Sequence, residues 1–509
     1  MNLLRRGLLN GFDRAEALLD RVFTPVHNPL KQLGALGTLF FAVVIVTGVH
    51  LYIGYDTSVS GAYGSVEYLS VSAWFLAGVA RSLHRYASDA LVLVMLLHAA
   101  REFARDRYRG ARWFSWVTGI VAMLLVYGSG IGGYWLVWDE LAQFIAIVSM
   151  EWLDWLPIFG EPIAGIFVAP DALDDRFFTL LIFLHIALPL MLALVLWLHL
   201  QRISRAAYRP PWRAALGAMA MLVGLSVVFP AVSHPPADLA RLPAKLGLDW
   251  FYLAAYPLMD RLPRAATWGG GVALLILFTA LPWLPPLRRR VVAVVDLDYC
   301  NGCGRCNDDC PYNAIAMVAR TDGKPFETQA VVNPGLCVGC GICVGACPPS
   351  TPFRTTVDLP TGIDLPDPSL KDLRGQTLAA AARHQAGGPR VLVFACAHGP
   401  AAATEFPASV TLPCVAMLPP SFIDFALSRH LADGVMLAGC DSSACYNRLG
   451  ERWTDERLAG KRDPRLRARV DRARVAVSWV GRQSGDEFRA ALSAFAARLS
   501  ARAAEGDKR

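Results

Sequence analysis

The first 299 residues of this 509-residue chain contain no cysteine. That absence removes disulfide staples from more than half of the molecule and excludes a secreted, disulfide-rich scaffold. Charge is also scarce, with 18% of residues charged against 54% apolar, and the mean hydropathy is +0.37. Wholly soluble chains of this length seldom have so positive a value, so part of the sequence is expected to lie in lipid. No nucleophile triad, phosphate loop or dinucleotide fingerprint stands out, and the run Gly269-Gly-Gly271 reads as helix packing. The net charge of +7 is modest. Its basic residues gather beside apolar stretches, where membrane orientation accounts for them without nucleic acid.

Six stretches are long and apolar enough to cross about 30 Å of hydrocarbon at about 1.5 Å per residue. They are 33–53, 83–103, 114–137, 177–200, 214–232 and 266–286, lettered A to F. Residues 1–25 mix Arg5, Arg6, Asp13, Arg14, Glu16, Asp20 and Arg21 with leucines and lack the apolar core of a cleavable signal; they read as a surface helix. Seventeen Lys and Arg flank one set of span ends, in 1–32, 101–113, 201–213 and 288–290, and six flank the other. The C–D loop, 138–175, has eight acids and neither Lys nor Arg. Both termini and everything after span F are therefore expected on the cytoplasmic side of a bacterial inner membrane.

Span B carries His84 and His98, and span D carries His185 and His199, each pair fourteen residues apart. Fourteen residues are about 21 Å along a helix and about 40° short of four turns, so each pair lies on one face at two depths. Two helices so marked can clamp two stacked haems, each through one imidazole per helix. Glycines repeat the interval: Gly34 and Gly48 in A, Gly119 and Gly133 in C. There, backbone could approach each porphyrin where a side chain would collide.

On these residues, 30–286 resembles the cytochrome b subunit of bc-type and b6f-type complexes. The resemblance implies His84 with His185 and His98 with His199 as haem ligands, and Arg81 and Arg101 as contacts to haem propionates. Gly133-Tyr-Trp-Leu-Val-Trp138 is similar to the family's turn after its third helix. Leu248-Asp-Trp-Phe-Tyr-Leu-Ala-Ala-Tyr256 resembles the Pro-Glu-Trp-Tyr quinol-site motif, which makes Asp249 the candidate proton carrier of a quinone site, with Tyr256 beside it. Leu248, Asp249 and Phe251 depart from that motif, and the resemblance stops before the family's last two helices. A homodimer is implied by the same resemblance, and a quinone site near Arg202 and His199 on the cytoplasmic face is the alternative location.

All twelve cysteines fall between 300 and 445. Cys300-x-x-Cys303-x-x-Cys306-x-x-x-Cys310-Pro311 returns 37 residues later as Cys337-x-x-Cys340-x-x-Cys343-x-x-x-Cys347-Pro348. In this spacing three thiolates of one run bind one 4Fe-4S cluster and the fourth crosses to the other. Cys300, Cys303, Cys306 and Cys347 are thus one expected set, and Cys337, Cys340, Cys343 and Cys310 the other. Gly302, Gly304, Gly339 and Gly341 keep the loops tight. Zinc also takes repeated Cys-x-x-Cys, but two complete runs ending in Cys-Pro resemble bacterial ferredoxins. Residues 291–355 form this expected domain, led by a strand over 291–295. Residues 356–389 are expected to be a linker, with a helix near 378–383.

From 390 to 500, apolar runs at 391–396, 410–414, 434–439 and 475–480 alternate with helical stretches near 421–432, 445–458 and 485–503, which predicts a small α/β domain with a parallel sheet. Cys396, Cys414 and Cys440 end three of these strands and Cys445 follows, four thiols at the edge where such sheets bind ligands. They suggest a 2Fe-2S cluster. Phe394-Ala-Cys396, Leu412-Pro-Cys414 and Leu437-Ala-Gly-Cys440-x4-Cys445-Tyr446 resemble the delta subunit of methyl-viologen-reducing hydrogenase. That resemblance implies an adaptor facing a flavin-containing, heterodisulfide-reductase-like or hydrogenase/dehydrogenase partner in the cytoplasm. Gly399 stands where that family often has a second cysteine, and His398 reads as a core or surface histidine. Residues 501–509 read as a frayed tail.

The expected fold is an all-α transmembrane bundle of six spans over 1–290, with a di-haem four-helix core, followed by an α+β ferredoxin-like domain and the α/β domain. The expected function is a membrane-bound electron-transfer subunit between the quinone pool and a cytoplasmic redox enzyme. A non-catalytic membrane anchor and relay is the second reading. A redox sensor would need an output domain, which the sequence does not suggest.

Overall fold

A computed structural model describes residues 2–158, 162, 173–241, 246–285, 291–356, 358–384 and 387–506. The amphipathic segment at the start is helix α1 (Asn2–His27), broken at Thr24, whose φ of +64° precedes Pro25. The longer helices that follow in the first half are α2 (Leu33–Gly54), α3 (Val79–Ala104), α4 (Trp113–Trp135), α5 (Glu140–Leu153), α6 (Asp175–Leu200), α7 (Trp212–Val228) and α8 (Arg264–Ala280). Helix α2 packs along α3 and α4 along α6, while α7 lies against α3. Helix α1 lies across the end of α3, where Arg101 and Arg105 each hold Glu16 at 2.7 Å.

Each expected span overlaps a helix, although 214–232 and 266–286 extend beyond the helices that end at Val228 and Ala280. Among the described residues, four are long and apolar enough to cross a membrane: Leu33–Gly54, Gly110–Trp135, Asp175–Leu200 and Arg264–Trp283. Their outward faces carry exposed apolar side chains such as Leu190, Trp197 and Ile276, as lipid contact requires. Helix α3 differs by its charges, Arg81, Arg85, Asp89, Arg101 and Glu102, and α7 has only 17 residues. The C–D segment read as a loop contains α5, whose start is capped by the Asp139 carboxylate accepting from Ala142 N–H at 2.9 Å.

The ferredoxin region is built from two antiparallel pairs, β1 (Val294–Val295) with β4 (Ile363–Asp364), and β2 (Ile315–Ala319) with β3 (Thr328–Val332). One-turn helices at Arg305–Asp308 and Ile342–Ala346 follow Gly304 (φ +74°) and Gly341 (φ +75°), a left-handed step that glycine takes without strain. Strand β4 and helix α9 (Leu370–Ala381) lie within the stretch read as a linker. Leu359, Ile363, Leu365, Leu370 and Leu373 are buried there. The helix begins at Leu370 rather than near Leu378 because Ser369 and Asp372 close a capping box.

The last region is a four-stranded sheet, β6 (Ser409–Leu412), β5 (Val391–Cys396), β7 (Gly434–Gly439), β8 (Val475–Trp479) in spatial order, parallel throughout as expected. Helices α10 (Ser421–Ser428), α11 (Gly450–Leu458) and α12 (Gly485–Gly506) surround it. The alternation of a strand sorts β5: Val391, Val393 and Ala395 share a core with Phe488 and Phe495 of α12. Leu392, Phe394 and Cys396 face the other way, into one continuous core with the ferredoxin region.

Candidate functional site

Each glycine lies against the histidine at its own depth. A Cβ at Gly48 would stand 3.0 Å from His84 Cε1, and one at Gly133 3.0 Å from His185 Cε1. At the other depth, Gly34 and Gly119 would place it 3.6 Å from His98 and His199. The His84 and His185 rings face each other with centroids 6.2 Å apart. At metal–imidazole bonds of about 2 Å, with each ring centre about 1 Å beyond its nitrogen, the rings either side of one metal lie about 6 Å apart.

Hydrogen bonding settles which ring nitrogen is free. Thr47 Oγ1 lies 2.7 Å from the Val43 carbonyl and 3.1 Å from His84 Nδ1. Its one proton goes to the carbonyl, so His84 Nδ1–H donates to Thr47. Thr118 repeats this with Phe114 O at 2.8 Å and His199 Nδ1 at 3.0 Å. His185 Nδ1 donates to the Ser129 carbonyl at 2.9 Å. Three Nε2 lone pairs are thereby left for a metal. The dipeptides Thr47-Gly48 and Thr118-Gly119, each inside Val-Thr-Gly, were the sequence signal for these orienting threonines.

Arg101, one helical turn from His98, donates from Nε to Glu16, whereas its Nη2 is buried without a hydrogen-bond partner. Arg81 is already engaged, with Ser70, with Ser233 Oγ at 2.9 Å and with Glu67 at 3.7 Å. The residues present therefore fit haem, by their free Nε2 atoms, glycine cradle and orphaned guanidinium nitrogen.

Asp249 is not an exposed loop acid. Its Oδ2 accepts from Tyr134 O–H and lies 3.1 Å from Arg85, and its Oδ1 accepts from Phe251 N–H at 2.8 Å. Arg85 also holds Asp89 at 3.2 Å, and Asp89 Oδ1 is buried without a hydrogen-bond partner. Of the two tyrosines in the 248–256 motif, Tyr252 is the one beside this cluster, its ring 6.2 Å from that of Tyr134 and its hydroxyl 2.6 Å from Ser88 Oγ, with Gly130 leaving room for its ring. Tyr256 instead pairs with Ser149 Oγ of α5 at 2.7 Å. Arg85 and Asp89, one helical turn apart and just after His84, were the legible signal for this cluster.

The two ferredoxin runs interlock. One pocket is lined by Cys310, Cys337, Cys340 and Cys343, and another by Cys300, Cys303, Cys306 and Cys347. Among the described residues no three His, Cys, Asp or Glu side chains converge as for a single metal ion, whereas here the thiols line a void. Burial, then crowding by neighbouring thiols, pushes Cys306 up to about 12 and Cys343 well above the usual thiol range. Such thiols favour ionisation only beside positive charge, which iron supplies.

In the last region Cys396, Cys414, Cys440 and Cys445 are all buried. Cys396 and Cys440 Sγ lie 3.8 Å apart, and their contact raises Cys440 to about 12. His398 stacks on Tyr446 with centroids 3.5 Å apart. This set borders the membrane half: Arg107 bonds the Cys445 carbonyl at 3.1 Å and Glu102 at 3.5 Å, and Lys31 bridges Asp20 and Asp441 at 2.7 and 2.9 Å. Arg112, its guanidinium over the rings of Tyr312 and Tyr446, bonds Tyr312 O–H at 2.6 Å. Cys340 packs against the small core that contains Cys414 and Trp453. Below it, Arg457 is buried and bonded to Asp309 at 2.5 Å and to the Ala416 carbonyl at 2.7 Å.

Membrane-capable helices joined to ferredoxin-type cysteine runs make this an integral membrane electron-transfer subunit. More particularly, three family models match it in succession: cytochrome b/b6/petB over residues 19–207, the 4Fe-4S dicluster domain over 299–351, and the methyl-viologen-reducing hydrogenase delta subunit over 390–501. A chain of a solved structure titled "Hyperthermophilic respiratory Complex III" is similar at 20% identity with a TM-score of 0.40, over 49% of this chain and 74% of that chain.

Proposed function

We propose that the protein exchanges electrons between the membrane quinone pool and a cytoplasmic redox enzyme. His84 with His185 and His98 with His199 would hold two b haems, the two ferredoxin sets two 4Fe-4S clusters, and Cys396, Cys414, Cys440 and Cys445 a 2Fe-2S cluster. Bound there, these groups supply one-electron sites. The observation that carries the reading is the contact path from α3 into the soluble part: Glu102 to Arg107 to Cys445, and Arg112 to Tyr312 beside Cys340. The likeness of residues 390–501 to a hydrogenase delta subunit supports a flavin-containing hydrogenase, dehydrogenase or heterodisulfide-reductase-like partner.

On this reading the quinone site is on the outer face. Asp249 and Asp89 share the single cation of Arg85, so the trio has one excess negative charge, and one proton from a quinol can rest there. The Lys and Arg bias supports a cytoplasmic location of the iron-sulfur regions in a bacterium. Each electron crossing the membrane alone then works with or against about 2.3 kcal/mol per 100 mV of potential. Anaerobic mixing of the oxidised holoprotein with a quinol tests the proposal: the haem b band should rise, followed by iron-sulfur bleaching. Asp249→Asn should slow that rise and leave the haem spectrum unchanged; an unchanged rate would remove the outer site.

The second reading, an anchor and relay without quinone chemistry, is favoured by Asp249 being tied to Arg85 and Tyr134. It expects dithionite, but neither quinol nor quinone, to exchange electrons with the haems.

A further inference from the structure

We propose that the chain meets its soluble partner at the Cys300/Cys303/Cys306/Cys347 site, and that Cys396, Cys414, Cys440 and Cys445 form an internal relay. The inference rests on the electron-transfer reading above and reassigns its far end, since strand-end cysteines are the expected outward-facing set in a parallel sheet.

Three observations order the sites. The four cysteines of the last region are 1–9% exposed, and the edge of the sheet where they lie is covered. Arg107 reaches the Cys445 carbonyl from the membrane half, Lys31 holds Asp441, and Cys340 lies on the core around Cys414. The Cys310/Cys337/Cys340/Cys343 set is half-enclosed: Cys310 and Cys343 are buried, Cys337 and Cys340 partly so, Arg112 donates to the Tyr312 hydroxyl, and the carbonyl of Pro311 accepts from Ser204 N–H at 3.1 Å. The remaining set reaches the surface furthest: Cys303 is the one fully exposed cysteine among the twelve. Its neighbour Asn301 is exposed as well, and the lining of that cavity comes wholly from residues 300–363.

Tunnelling rates fall steeply with distance, so exchange with an outside protein occurs where ligands reach the surface. These two sets adjoin each other, and Arg107 links the Cys445 carbonyl to Glu102, one helical turn from His98. The exposed set adjoins the Cys310 set, where the one-turn helices that carry Cys306 and Cys343 pack together. In each turnover toward the cytoplasm the exposed site gains one electron as the Cys310 site loses one. It then gives that electron to a one-electron acceptor protein, and no bond or proton moves.

The test is electron paramagnetic resonance of the dithionite-reduced holoprotein, titrated with a soluble dysprosium chelate. Cys303→Ser assigns the signal of the exposed site by altering it. Asn301→Lys, which keeps every ligand, assigns it independently by raising its midpoint potential. The chelate is expected to raise the half-saturation power of that signal several-fold and leave the 2Fe-2S signal nearly unchanged. Equal or greater relaxation of the 2Fe-2S signal would overturn the assignment. Reduced protein with no iron-sulfur signal would overturn the electron-transfer reading itself, a separate failure.

Discussion

On the proposed two-haem reading, alanine at Gly48 or Gly133 should expel one haem and leave the other. A Cβ at either position would lie 3.0 Å from the Cε1 of His84 or His185, so each ring must retreat by a few tenths of an ångström. The His84 ring cannot do so freely, because Thr47, adjacent to Gly48, holds its Nδ1 at 3.1 Å, and the Ser129 carbonyl holds His185 at 2.9 Å. Overpacking of this kind costs about 1–3 kcal/mol. If that cost falls on the ligated state, haem affinity drops about 5- to 150-fold. Gly34→Ala and Gly119→Ala are internal controls, since their Cβ atoms would meet His98 and His199 at an ordinary 3.6 Å. Haem per polypeptide, measured as the pyridine haemochrome after washing, should fall from two toward one in Gly48→Ala/Gly133→Ala and stay nearer two in the control pair. Equal loss in both pairs, or loss only in the controls, would refute the argument from close approach.

Lys31→Met should loosen the soluble regions from the membrane half: the ammonium is 3% exposed between Asp20 and Asp441, and stranding two carboxylates costs about 3–5 kcal/mol. Faster amide exchange at residues 440–450 would register it, and unchanged protection would count against it. Arg112→Gln should lower the midpoint potential of the Cys310/Cys337/Cys340/Cys343 site by roughly tens of millivolts, because it deletes a buried cation beside Tyr312; a redox titration followed by electron paramagnetic resonance reads the shift. Docking of α1 should depend on acid. Burial raises the Glu16 carboxyl, but Arg101 and Arg105 outweigh it and hold the group below its usual 4.5. Asp13, whose contact with Arg105 is 3.5 Å, goes the other way because burial prevails. A depressed pKa makes the contribution of Glu16 complete above 4.5 and lost as pH falls through the folded value. The protection factors of α1 amides, exchange rates taken relative to their intrinsic pH dependence, should therefore be flat near neutrality and fall only below about pH 4.5.

Periodicity made the helical half legible because histidines and glycines recur at one interval, and an interval on a helix is a direction in space. The strands 391–396 and 434–439 were equally clear, as continuous apolar runs of a buried parallel sheet. The stretch 356–389 misled because its proline, aspartate and glycine content belongs to a loop, whereas its leucines, spaced irregularly, fill the core between two other regions. Asp249 was legible as a motif position but not as a charge partner. Its cation, Arg85, lies 164 residues away on α3, a pairing no local pattern encodes. The same limit hid the covering of the strand-end cysteines, which comes from Arg107 and Lys31 across the chain.

The contact between Gly341 and Met417 sets a schedule for biogenesis. A side chain at Gly341 would meet Met417 at 2.7 Å, so the last region closes over the loop that carries Cys337, Cys340 and Cys343. Met417 leaves the ribosome 70 residues after Cys347, a delay of roughly 4–14 s at about 5–20 residues per second. Iron and sulfide are most easily delivered during that interval, while the nascent loop is still uncovered. A chain completed without its clusters would have to reopen a packed core, including the Arg457–Asp309 ion pair, before a maturation factor could reach the thiols.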